Sequence, residues 1–334
     1  MRSTQQPTLG LGCGVFGGAY GPASQREIVD AVRAALDSGI SLVDTSPYYN
    51  DSEARLGAAL LELQTEFPRS SYRICTKVGR YGYRAADFDY SAARVVASVN
   101  ESMRRLHTDY LDVVLCHDVE FVDLVQVTDV ALPALLELQR RGVVKQVGIS
   151  GYPLDVLLRI AQVQHARGTP LDVCLSYCNF NLHCRRLPAY VPALRAAGVR
   201  TIVAASPLSM GLLNHGATPE WHPAKPELKA AIARCVEQLP QQRAADSSPV
   251  ATTLAGIAEC FAFSYRDVDV HLVGANTRGE VECALSAFSR AQEVQLARDG
   301  KFKDPELQRA YEVIAGILRP FFDYAWPSPP ADAY

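Results

Sequence analysis

The chain has 334 residues, 48% of them hydrophobic, and its 33 Lys and Arg against 36 Asp and Glu leave a formal net charge of −3. That balance offers no basic field for releasing counterions from a phosphate backbone, so nucleic acid is excluded as an expected partner, and the apolar content suffices for one large domain over 1–334. Met1 to Gln6 carry no apolar leader run and no stretch approaches the ~20 apolar residues that span a bilayer, so a soluble, cytoplasmic protein without a membrane partner is expected.

In chain order, short β-rich runs fall at 8–13, 41–44, 72–76, 111–116, 145–149, 171–175, 200–204 and 269–273. Amphipathic helical patterns lie between them, among others at 25–37, 92–106, 133–140, 154–164 and 188–197. Strand and helix in alternation predict a parallel sheet, and eight strands is the number that closes a (β/α)₈ TIM barrel, an α/β fold. Ser24 with Glu27, and Thr277 with Glu280, have capping-box spacing. Gly39, Gly142, Gly168 and Gly198 each end a helical run just before a strand, where a left-handed cap residue belongs. A long irregular segment at 207–226 follows strand seven, and loops of that length on a barrel's working face usually serve function. The stretch 238–249 reads as a polar surface loop, 305–318 as a helix, and 319–334 as an irregular tail that lies over the barrel or frays. Nine scattered cysteines form no C-x-x-C pair, and Cys75, Cys116 and Cys174 sit in apolar runs as small hydrophobes.

The informative feature is what ends each strand: Asp44-Thr45, Thr76-Lys77, His117-Asp118, Ser150-Gly151, Ser176-Tyr177, Ser206-Pro207 and Gly274. Barrel active sites are assembled from such C-terminal ends. Strands must end in something polar, which accounts for serine and glycine, but a lysine and a histidine closing buried runs ask for more. Oxidising an alcohol, or reducing a carbonyl, needs one group that takes or gives the oxygen-bound proton. A tyrosine, ordinarily near pKa ~10, serves if its pKa falls by about two to three units, a differential of roughly 3–4 kcal/mol. An ammonium about 4 Å away at an effective dielectric near 20 supplies about 4 kcal/mol, so one buried cation, Lys77, is expected to suffice. Burial would strip that lysine of its proton unless an anion, here Asp44, stands beside it. His117 then orients the substrate oxygen or relays its proton. The phenol is Tyr48 or Tyr49, both on the loop after Asp44. A metal on His117, Asp118 and Glu120 is not expected, because there is no H-x-H pair and no second strand-ending histidine.

These residues, in DTSPYYNDSE from Asp44, ICTKVGRYG around Lys77 and LCHDVEF around His117, resemble the aldo-keto reductase superfamily. Its signature is Asp, a Tyr five residues on, a Lys and a His at the ends of strands two, three and four. The resemblance makes Asp44, Tyr49, Lys77 and His117 the catalytic tetrad, with Tyr49 as proton donor or acceptor and Tyr48 lining the substrate pocket. VGISGYP, LSYCNFN and ASPLSMGLL extend the likeness over nearly the whole chain, toward the branch of aldose 1-dehydrogenases acting on D-arabinose or L-galactose. That branch implies oxidation of an anomeric hydroxyl to a lactone, on routes to erythroascorbate or ascorbate, with a small sugar as partner and a monomer or weak homodimer as assembly.

Cofactor positions carry over less evenly. The resemblance points to Ser150, Gly151, Ser176, Ser206, Pro207, Leu208, Gly211, Gly274, Asn276, Thr277 and Glu280, yet Gly151 stands where the superfamily commonly has Asn. Leu175-Ser176 stands in place of its Gln, and Ala205 in place of its stacking aromatic. A carboxylate at Glu280 repels a 2′-phosphate and accepts from a ribose hydroxyl, which predicts NAD rather than NADP, unless nearby Arg278 reads the phosphate. Glu280 is equally explained as the cap partner of Thr277. Phe16, Tyr48, Tyr81, Phe121, Trp221 and His222 are the expected substrate contacts, because aromatic faces suit the apolar face of a pyranose, although any one of them is more often a packing residue. The competing functions are an NADPH-dependent carbonyl reductase and a non-catalytic nucleotide-binding redox sensor.

Overall fold

Each predicted strand forms and pairs parallel with the one before it: β1 (Thr8–Gly12), β2 (Leu42–Asp44), β3 (Arg73–Val78), β4 (Leu111–Cys116), β5 (Val144–Gly151), β6 (Val173–Tyr177), β7 (Thr201–Ala205) and β8 (Val270–Gly274). β8 pairs back onto β1 through Gly10↔Leu272 and Gly12↔Gly274, which closes a TIM barrel. This computed structural model describes residues 6–216, 218–239, 249–293 and 302–328. The helices are α1 (Gln25–Asp37), α2 (Ser52–Glu62), α3 (Ala92–Arg105), α4 (Leu132–Arg140), α5 (Leu154–Ala166), α6 (Leu187–Ala196), α7 (Pro226–Gln238), α8 (Pro249–Thr252), α9 (Leu254–Phe263), α10 (Arg278–Glu293) and α11 (Pro305–Leu318). None of the described helices is long and apolar enough to cross a membrane.

Five strands outrun their predicted ends: β3 to Val78, β5 to Gly151 and β6 to Tyr177 by two residues, β7 to Ala205 and β8 to Gly274 by one. A polar residue reads as the start of a loop, but here the polar residues stay in the ladder, with Lys77 opposite Leu115, Gly151 opposite Ser176 and Tyr177 opposite Ala205. Both capping boxes close reciprocally: Glu27 N donates to Ser24 Oγ and Ser24 N to Glu27 Oε2, as Glu280 N donates to Thr277 Oγ1 and Thr277 N to Glu280 Oε2. The four predicted cap glycines all take left-handed φ. The predicted loop 238–249 falls mostly on 240–248, outside the described residues.

Strand alternation decides which side chains meet on the barrel axis. Leu42, Cys75, Val113, Leu115, Val173, Leu175, Val203, Val270 and Leu272 fill the interior, while Val43, Ile74, Val114, Ile149, Cys174 and Val273 face the helices. Continuing that alternation to the strands' C-terminal ends puts Asp44, Lys77, His117, Ser150, Tyr177, Ala205, Gly274 and Gly12 on the inner ring. At the opposite end, Asp112, Asp172 and Asp269 each accept a backbone N–H of the neighbouring strand, from Ile74, Val147 and Ile202. Arg69, Arg200 and Arg195 pair with these carboxylates, which makes that face a set of staples. At Gly148 on β5, a Cβ would lie 2.0 Å from the Val173 carbonyl oxygen of β6. Gly148→Ala must push two paired strands apart and should cost at least about 1–3 kcal/mol, read as a lowered melting temperature. An unchanged melting temperature would show that the barrel wall gives way there.

Candidate active site

β2, β3 and β4 set Asp44, Lys77 and His117 side by side. The Lys77 ammonium donates to Asp44 Oδ1 at 2.6 Å and to the Thr45 carbonyl at 2.9 Å, with 1% of its side chain exposed. Burial favours its neutral form, but Asp44, with Tyr49 and Cys75 in support, outweighs that and keeps the lysine above its ordinary pKa. Asp44 Oδ2 is buried without a hydrogen-bond partner among the described residues.

The two candidate phenols part company here. Lys77 Nζ lies 4.8 Å from the centre of the Tyr49 ring, which packs over Gly14. Tyr48 instead receives Arg80 Nη2 on its hydroxyl at 2.9 Å, under a guanidinium 3.7 Å from its ring centre. Tyr49 is therefore the phenol beside the ammonium, in a trio with His117 at 5.5 Å between ring centres.

The expectation that one lysine suffices to acidify the phenol fails. Burial pushes the Tyr49 phenol up to about 12, Lys77 pulls it down by charge and hydrogen bond, and Asp44 and Asp118 push it up again. The anion that keeps the lysine charged also offsets the lysine's effect on the tyrosine. His117 is driven to about 3, first by burial, and Lys77 and Arg80 lower it further against Asp118. It is neutral at ordinary pH. Ser46 Oγ accepts from Tyr48 N at 3.1 Å and lies 3.1 Å from His117 Nδ1. In the tautomer where Nδ1 accepts the serine proton, the ring proton sits on Nε2 and the neutral histidine can donate from there.

The other predicted positions divide. Ser150 is buried on the inner ring, its Oγ 3.4 Å from the Cys116 carbonyl. Ser176 and Gly151 have the outward parity and do not join it. Ser176 Oγ accepts from Asn179 Nδ2 at 2.9 Å, and the space that a Gly151 side chain would fill is taken by Glu120 Oε2, 2.6 Å from the position of such a Cβ. Tyr177 occupies the inward place on β6. Counting by two from Val173 and Leu175 would have found it. After β7, Ser206, Ser209, Met210 and Gly211 all have left-handed φ, around buried Pro207 and half-buried Leu208. Asn276 N and Thr277 N both donate to Glu280 Oε2.

Three of the expected substrate contacts, Phe16, Tyr81 and His222, are engaged away from the mouth. Phe16 is fully buried in the core beneath the turn after β1. The Tyr81 hydroxyl accepts from Gly79 N at 3.1 Å and its ring lies 3.9 Å from the Arg94 guanidinium, so it turns toward α3. Both His222 nitrogens are spent inside the long loop, on the Ser209 carbonyl at 2.8 Å and on Ala224 N at 3.0 Å, so this residue pins the loop. Trp221, half exposed, donates Nε1 to the Ala19 carbonyl at 3.2 Å and meets the Tyr20 ring edge-on, tying the β7 loop to the β1 loop across the end of β8. Phe121 stacks on Phe88 at 4.9 Å beside Arg80.

Sequence reasoning missed the wall facing the tetrad. Arg80 forms an ion pair with Asp118, whose Oδ2 lies 3.5 Å from His117 Nε2. The tail at 319–328 lies over the mouth, with Trp326 buried and stacked flat on Tyr152 at 5.1 Å, and Ser328 Oγ donating to Glu120 Oε1 at 2.8 Å; 329–334 lie outside the described residues. The ring is thus polar on the β2–β4 side. On the β7–β8–β1 side, Ala205, Gly274 and Gly12 put almost no side chain on the floor, which suits the flat ring of a nicotinamide.

Comparison with known proteins agrees with this arrangement. The model of the Aldo/keto reductase family matches residues 8–296. The chain is 36% identical to L-galactose dehydrogenase of Arabidopsis thaliana, over 96% of this chain and 93% of that one. It is 35% identical to D-arabinose 1-dehydrogenase of Saccharomyces cerevisiae, over 90% and 86%. A solved aldo-keto reductase from Bacillus halodurans shares the fold, with a TM-score of 0.63 at 24% identity, covering 94% of this chain and 96% of that one. The chain belongs to the aldo/keto reductase family, whose enzymes work with a nicotinamide cofactor.

Proposed function

We propose that this protein oxidises the anomeric hydroxyl of an aldose to the lactone, with Asp44, Tyr49, Lys77 and His117 as its catalytic groups and NAD as the hydride acceptor. The observation that carries the reading is the buried ammonium of Lys77, hydrogen-bonded to Asp44 and set beside the Tyr49 ring. Near full-length similarity to two aldose dehydrogenases supports the substrate class.

Tyr49, as phenolate, takes the proton of the anomeric hydroxyl while the hydrogen on that carbon leaves with its electron pair. The carbon–oxygen double bond that forms is the lactone carbonyl. Lys77 stabilises the phenolate, and Asp44 keeps Lys77 charged. The Nε2–H of neutral His117 donates to the reacting oxygen and orients it. When bound, the oxidised nicotinamide supplies the hydride acceptor and a positive ring. The residues that would hold the cofactor are Ser150 and Gly274 on the ring, with Ser206, Leu208 and Gly211 of the β7 loop and Asn276 and Thr277 before α10. Glu280 keeps its Oε1 without a hydrogen bond among the described residues, available to a ribose hydroxyl, while Arg278 is tied to Glu282 at 2.7 Å. Both favour NAD over NADP.

The test follows NADH appearance with D-arabinose, L-galactose and L-fucose, and compares kcat/KM with NAD and NADP. Turnover of at least one aldose with NAD preferred is expected. Inertness toward all three sugars would refute the substrate class, and a clear NADP preference would refute the cofactor assignment.

A further inference from the structure

The mouth holds a second buried ion pair that the proton-transfer step does not use. Arg80 and Asp118 are 13% and 5% exposed at the side chain, at the ends of β3 and β4. Such a pair is a poor device for stability, since apolar residues of equal volume usually do as well or better. It also differs from the pairs at the other end of the barrel. There Asp112 is fully engaged, with Arg69 and Ile74 N on Oδ2 and Lys145 on Oδ1. Asp172 is likewise engaged, with Gln139 and Val147 N on Oδ2 and Arg200 on Oδ1.

At the mouth, capacity is left over. Arg80 spends Nε on the Gly82 carbonyl at 3.3 Å, one Nη1 proton on Asp118 and one Nη2 proton on the Tyr48 hydroxyl. Its five N–H donors thus leave two without a partner among the described residues. Asp118 Oδ2 takes Arg80, and no hydrogen bond engages Oδ1 among the described residues. The guanidinium carbon lies 3.7 Å from the centre of the Tyr48 ring and 5.2 and 5.0 Å from those of Phe88 and Phe121, and its three hydrogen bonds fix the direction of its spare donors. A rigid donor pair beside a carboxylate acceptor matches two adjacent hydroxyls of a polyol, one accepting and one donating.

Resting on the aldose reading above, we propose that the Arg80–Asp118 pair selects the substrate, binding a vicinal diol of the sugar while His117, in contact with Asp118, holds the reacting oxygen. Specificity then depends on the relative configuration of those two hydroxyls, since only one geometry serves the fixed donor and acceptor together.

The test measures kcat/KM for the wild type and Arg80→Met with an aldose that the wild type oxidises and with its monodeoxy analogues. On the wild type, removing a contacted hydroxyl should cost about 10–100-fold. R80M should lose a similar factor on the parent sugar, and the two losses should not add. Loss in KM should exceed loss in kcat, and NADH affinity, by fluorescence titration, should stay within about twofold of wild type. Arg80→Lys, which keeps the charge but not the fork, should recover only part of the loss. Losses that add for every analogue, or R80M as active on the parent aldose as wild type, would overturn the proposal. So would loss of NADH binding in R80M and R80K alike, since that marks the pair as a structural prop. A wild type inert to every aldose brings down the functional reading itself, and is told apart because the failure precedes any variant.

Discussion

Tyr49→Phe is expected to slow hydride transfer by about 10²–10⁴-fold, the usual contribution of a positioned general acid–base, while NADH still binds. The phenyl ring keeps the packing over Gly14 and the contact with Lys77, and only the titrating hydroxyl is lost. The wild-type pH profile carries the same information. Oxidation requires the deprotonated phenol, and the protein's own groups hold that phenol at about 12, so the oxidative rate should rise with pH through the range 7–10. Reduction requires the protonated form and should stay flat over the same range. His117 sits near 3, so neither direction should show an inflection at the ordinary histidine pKa. A fully active Y49F enzyme, or an oxidative rate independent of pH, would remove Tyr49 from the mechanism.

Lys77→Met should be damaging twice over. Asp44 Oδ2 already lacks a partner, and without Lys77 the carboxylate is left as an uncompensated buried charge, a situation that costs about 3–5 kcal/mol. The phenol also loses the neighbour that draws its pKa down by both charge and hydrogen bond. Turnover should fall by at least about 10²-fold and the melting temperature with it. Adding Asp44→Asn to K77M removes the stranded charge, so it should recover much of the melting temperature and none of the turnover. Recovery of both, or of neither, would contradict the division of labour between the two residues.

The barrel and the tetrad were legible for one reason. Lys77 and His117 close apolar runs where a charged or titratable side chain has no packing role, and Asp44 stands at the parallel place on the neighbouring strand. What the sequence could not convey was direction. Gly151 and Ser176 stand next to inward residues, and strands judged to stop at 149 and 175 concealed that they face the helices. Phe16 and Tyr81 lie on loops at the right end of the barrel, but a loop aromatic is drawn equally to the core or to a guanidinium. His222 looked like a ligand beside Trp221, yet the β7 loop, with four left-handed residues, needed both its ring nitrogens to hold its turns. Arg80 and Asp118 went unread as a pair because 38 residues separate them and only the adjacency of β3 and β4 brings them together. The phenol's pKa does not follow from the cation alone, because burial and the two carboxylates act on it as well.

The most direct test is a single-turnover measurement of NADH formation from an aldose carrying deuterium at its anomeric carbon, followed between pH 6 and 11 in the wild type and in Y49F. A primary isotope effect, with a wild-type rate that climbs with pH and a Y49F rate that is low and flat, is the predicted result. Equal pH profiles in the two proteins would contradict proton transfer through Tyr49.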